Sequence, residues 1–148
     1  FLIADATLNT EGPQSAMEIA EQALEVAQNP KIDSYFFVIL LKMVIAKCAI
    51  TTADFETAKI HLENAISLAK KFSMNDLLSR LYILYGKYFQ ELGLVKSAEQ
   101  VEYLQAAEKM YKLAEELVAK TKNMYVLKDL KQSSKALTTF CVMNNIKI

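Results

Sequence analysis

Residues 54–69 read DFETAKIHLENAISLA, with Ala58, Leu62, Ala65, Ile66 and Ala69 at the spacing of one helix face. Forty-two positions earlier stands the same ladder, built from Ala16, Ala20, Ala23, Leu24 and Ala27. Ala4 and Ala46 extend the correspondence toward the N-terminus. A further copy follows at a spacing of 40, where Leu41, Ile45, Ala46, Phe55 and Ala58 become Leu81, Tyr85, Gly86, Val95 and Ala98. Self-similarity at a period of 20–50 residues marks a solenoid, in which each unit buries its apolar face against its neighbours. The expected fold is therefore all-α, an α-solenoid of helix pairs with about seven helices.

Composition supports long helices. The chain of 148 residues has only 3 Gly and 2 Pro, too few breakers for a turn-rich β fold. With 53% hydrophobic residues it can supply a core. No run approaches the roughly 18–20 apolar residues of a membrane span. The densest stretch, 35–46, is interrupted by Lys42. The start has neither Met nor a basic n-region, so no signal peptide is expected. Cys48 and Cys141 lie in apolar helical stretches and read as buried thiols, in keeping with a reducing cytoplasm.

Along the chain, residues 1–9 read as the last turns of a helix, and Gly12-Pro13 opens a second over 14–28 that Asn29-Pro30 ends. Asp33 or Ser34 caps a third helix to about Ile50, apolar nearly all round and expected to be the most buried. Asp54 caps a fourth to about Phe72. Asn75 or Asp76 opens a fifth that ends near Leu92-Gly93.

Beyond that point the 40-residue register fails, because Ala65 maps to Gln105. At a spacing of 49 it resumes, with Ala107, Tyr111, Ala114 and Val118. About nine residues are thus inserted near 98–106 and should be removable. The phase through Leu94, Ala98, Val101, Leu104 and Ala107 predicts one helix of about 25 residues. A last helix over 124–143 presents Leu127, Leu130, Ser134, Leu137 and Cys141, and Asn144-Asn145 ends it.

The small residues Ala46 and Gly86, the aromatic Phe89, and the turns 52–58 and 92–98 resemble those of the tetratricopeptide repeat family over roughly residues 1–121. The resemblance implies a right-handed superhelix, with units at about 1–30, 34–72 and 76–121 followed by the terminal helix. The unit is longer than usual for the family, as in helical repeats of large bacterial regulatory and signalling proteins. It also implies a concave groove lined by the first helix of each pair, which takes a peptide. Tyr35, Lys42, Lys47, Arg80, Lys87, Tyr88 and Gln90 are the candidate lining. The first unit enters midway through a helix, so the chain is expected to be a fragment of a larger protein, with Leu2 and Ile3 packing on something beyond it.

Chemistry is sparse. His61 is the only histidine and has no nucleophile or carboxylate at helical spacing, so a general base is not supported. No Cys/His/carboxylate cluster has metal-ligand spacing, and three glycines cannot build a phosphate loop. No catalytic residue, metal or cofactor is expected. Sixteen Lys and one Arg make a poor set for base readout, so direct nucleic-acid binding is not expected either. Net charge is zero, yet residues 1–30 hold five acids and no Lys or Arg, whereas 103–148 hold eight Lys against four acids. Such asymmetry assists docking of segments or partners.

The functional expectation is a non-enzymatic, cytoplasmic interaction or scaffold segment of a multidomain bacterial signalling or transcription regulator. Its partner is a protein, a peptide or another domain of the same chain. The alternative is an effector-sensing module in which a peptide or small ligand changes superhelix shape to control an output domain. Self-association through the N-terminal end is a third route.

Overall fold

The computed structural model describes residues 2–29 and 34–148, apart from the side chains of Leu2, Ile3 and Ala6. The expectations for Leu2, Ile3, Pro30 and Asp33 fall outside what is described. Seven α-helices make up the described residues, and no strand occurs among them. They are α1 (Leu2–Thr10), α2 (Pro13–Ala27), α3 (Tyr35–Thr51), α4 (Phe55–Lys71), α5 (Asn75–Val95), α6 (Gln100–Thr121) and α7 (Met124–Met143), with a 3₁₀ turn at Ser97–Glu99. The chain divides between Ser73 and Met74 into two compact units.

In the first unit α1 packs on α2 and α3, α2 on α3, and α3 on α4. Ala4, Ala16, Ala20, Leu24, Val38, Leu41, Val44, Ile45 and Cys48 form one apolar cluster. The alanines hold the helices, since Ala has the best helix propensity, and their small size lets neighbouring axes approach. On α4, Ala58, Leu62, Ala65 and Ala69 are fully buried, as the ladder predicts. Asp54 starts that helix, its carboxylate accepting from the Thr57 backbone N–H at 3.2 Å. Ser34 precedes α3 without a side-chain cap bond. As expected, α3 is the most buried of the helices α2–α7, with nine buried residues of 17 against ten of 21 in α5, although Tyr35, Phe36 and Phe37 in its first turn are 39–51% exposed. These rings project beyond the cluster, which begins at Val38.

In the second unit α5 and α6 form a long antiparallel pair of 21 and 22 residues, against 17 each for α3 and α4. Here the structure corrects the sequence reading. Gly93 does not end α5 but lies inside it. A Cβ there would sit 3.3 Å from Tyr103 Cβ and 3.7 Å from Leu104 Cδ2. The glycine therefore serves close approach of α6, and the helix continues to Val95. No single helix runs from residue 94; the chain breaks at Lys96 and the 3₁₀ turn. Residues 98–106 lie in the 3₁₀ turn and the start of α6, and they carry core, for Leu104 is 1% exposed. As expected, α5 opens at Asn75, and Met74 holds the cap position before it without a side-chain bond.

The last helix packs on α6 and α5. Its buried residues are Val126, Leu130, Ser133, Leu137 and Cys141. Relative to the expected stripe, Leu127 and Ser134 have turned out to a half-buried flank. Asn123 caps α7, accepting from the N–H groups of Tyr125 and Val126 at 3.1 and 3.2 Å. Its own amide donates to Asp76 Oδ1 at 2.6 Å, tying the start of α7 to the start of α5. Asn144 and Asn145 end the helix, Asn145 in the left-handed region at φ 53°.

Candidate functional site

The seven residues read as groove lining fall in two groups, with Tyr35, Lys42 and Lys47 in the first unit and Arg80, Lys87, Tyr88 and Gln90 in the second. Most are engaged within their own unit. Tyr35 stacks on Phe72 with ring centroids 4.3 Å apart. Lys47 pairs with Asp5 at 3.4 Å, Arg80 with Asp76 at 3.2 Å and Lys87 with Asp129 at 2.8 Å. Gln90 accepts a hydrogen bond from the Tyr111 hydroxyl. Tyr88 is 5% exposed, packed against the rings of Tyr85 and Phe89. It is a core ring rather than part of an open lining, because its neighbours already cover it.

Lys42 is half-buried, and desolvation holds its ammonium pKa below the ordinary lysine value. His61 on α4 is half-buried too. Its pKa is lowered by burial and, next, by the charge of Lys42. Its Nδ1 makes no hydrogen bond among the described residues. The thiols of Cys48 and Cys141 are buried and free, and burial pushes both pKa values up, which disfavours the reactive thiolate. Among the described residues no group of three or more His, Cys, Asp or Glu is placed to hold a metal ion, and no helix is long and apolar enough to cross a membrane.

An open feature of the second unit is a cleft of about 440 Å³ between α6 and α7. The sequence reading did not find it. From α6 come Glu108, Tyr111, Lys112 and Glu115, spaced as one helix face; from α7 come Leu127, Leu130, Lys131, Ser134, Lys135 and Thr138. Its floor is apolar, formed by Tyr111, Leu130 and the half-buried Leu127. The Tyr111 hydroxyl is engaged with Gln90, and burial raises its pKa far above the usual phenol value, so it stays protonated. Along the rim Lys112 pairs with Glu108 at 2.9 Å. Lys131, Lys135 and Glu115 form neither a hydrogen bond nor an ion pair among the described residues. The signal in the sequence was the spacing of Leu127, Lys131, Ser134 and Lys135. It was obscured because Leu127 and Ser134 also fit a core stripe one position away from the true one.

Comparison with protein-family models, curated proteins and solved structures finds no match to this chain.

Proposed function

We propose that this chain is a helical-repeat interaction segment of a regulatory protein in the cytoplasm, its helix pairs tetratricopeptide-like and stacked as a right-handed superhelix, binding a partner polypeptide. Two ion pairs support the repeat reading. Asp5–Lys47 joins α1 to α3, and Lys87–Asp129 joins α5 to α7. Each spans 42 residues; for Asp5–Lys47 this is the spacing of the first two ladders, whereas the register around Lys87–Asp129 runs at 40 and then 49. Stacked units bring equivalent helices side by side, and residues one period apart then become neighbours.

The interaction reading rests on the α6–α7 cleft: open, apolar at its floor, and rimmed by Lys131, Lys135 and Glu115, which form no ion pair among the described residues. Clefts between antiparallel helices take an amphipathic segment. The volume also lies within the range of small-molecule pockets, and this favours as second reading a sensor whose ligand draws α7 against α6 and biases an attached output domain.

Affinity capture from the source cell's lysate, read by mass spectrometry, tests the interaction reading. Reversal of Arg80 and Lys87 is a poor control, because both charges hold intramolecular ion pairs. Reversal of Lys131 and Lys135 removes no hydrogen bond or ion pair among the described residues. A protein retained by the native chain and lost with Lys131→Glu/Lys135→Glu is the expected result. A chain that retains no protein, yet shifts its melting temperature with a small-molecule extract, would replace interaction with sensing.

A further inference from the structure

Resting on the interaction reading, we propose that the α6–α7 cleft takes an acidic amphipathic helix of about three turns, its apolar side chains on Tyr111, Leu127 and Leu130 and its carboxylates over Lys131 and Lys135.

Length comes from the lining. Residues 127–138 of α7 run the length of the cleft, about 16 Å at 1.5 Å per residue, the length of about three helical turns. Polarity comes from the rim. Lys131 and Lys135 stand one turn apart on the α7 side, both exposed. Between them the half-buried Ser134 has no hydrogen bond from its hydroxyl among the described residues. Two ammonium groups and a free hydroxyl along one wall match a row of carboxylates. On the opposite wall Lys112 and Glu108 neutralise one another, and Glu115 alone remains. The cleft is thus charged asymmetrically: a partner helix places its acids over α7 and a neutral or basic flank over α6. Anchoring is apolar, and the charges select orientation and partner.

The test uses the full chain and a fluorescein-labelled helical peptide of about twelve residues, with leucines at i and i+4 and glutamates along one flank, followed by anisotropy. Binding should weaken at least about tenfold when the glutamates become glutamine, and by a similar factor when the leucines become alanine. Lys131→Glu/Lys135→Glu should lose the acidic peptide by at least about tenfold and gain a lysine-flanked version of it. Its circular-dichroism melting curve should match the native one, since neither lysine holds a hydrogen bond or ion pair among the described residues. Absence of binding, indifference to glutamine substitution, or displacement by free glutamate at matched ionic strength would each overturn the proposal. The failures separate: a lysate protein retained irrespective of Lys131 and Lys135 removes this occupant and leaves the interaction reading standing, whereas loss of both peptide binding and capture removes both.

Discussion

At the scale of single residues, Gly86 is the most constrained position. A Cβ there would lie 2.8 Å from two carbons of the Tyr111 ring and closer still to a third. Tyr111 cannot retreat without losing its bond to Gln90. Gly86→Ala should therefore destabilise by about 1–3 kcal/mol through overpacking, against the roughly 1 kcal/mol that alanine contributes to an ordinary helix. A rise in melting temperature would show that the ring yields freely. His61 carries a pH prediction. In the unfolded chain it takes up its proton near 6.5, and in the fold only at lower pH. The unfolded state thus binds more protons in that window, and the contribution present above 6.5 is lost as pH falls through the folded value. Melting temperature followed from about pH 7.5 to about pH 5 should fall less steeply for His61→Gln than for the native chain. Parallel curves would remove His61 from the acid response.

At the scale of elements, the junctions decide where helices start and stop. Asn123 does two things at once, capping α7 and bonding Asp76 at the head of α5. Asn123→Ala should cost about 1–2 kcal/mol and loosen α7, read as faster amide exchange across 124–130. Exchange confined to the first turn would mean that the Asp76 bond adds nothing. The residues at 98–106 behave differently from a surface insertion. They contain Leu104, which is buried, and Tyr103, which packs on Gly93. Their deletion should abolish cooperative unfolding of the α5–α6 pair. A deleted chain with the native melting profile would restore the view that they are dispensable.

At the scale of the whole molecule, zero net charge conceals two opposed halves. Residues 1–73 hold 6 basic against 9 acidic side chains, net −3; residues 74–148 hold 11 against 8, net +3. Opposite charge at neutral overall balance promotes association between copies when screening is weak. Light scattering near pH 7 should report self-association at about 10 mM salt that disappears by about 0.3 M, as the Debye length shrinks from about 30 Å to a few Å. Association that grows with salt would point to apolar contact instead, with Phe36 and Phe37 the exposed rings to examine first.

Much of this protein is determined by sequence alone. Scarcity of breakers and the alanine ladders dictate an all-helical chain, because periodicity at 3.6 residues leaves each helix one face to bury. Asp54, Pro13 and Asn144-Asn145 mark helix ends through local chemistry, which needs no distant partner. What only tertiary structure decided is where a residue's neighbours come from. Gly93 looks like a helix terminator until Tyr103 and Leu104 arrive against it. Leu127 and Ser134 fit a core stripe until α7 rotates to bury Val126 and Ser133, turning them into the wall of the cleft. Lys47, Arg80 and Lys87 look free until carboxylates from other turns and helices meet them. A helix face is specified within about one residue by pattern, but its final rotation minimises exposed apolar area against all neighbours together, and that sum exists only in the folded chain.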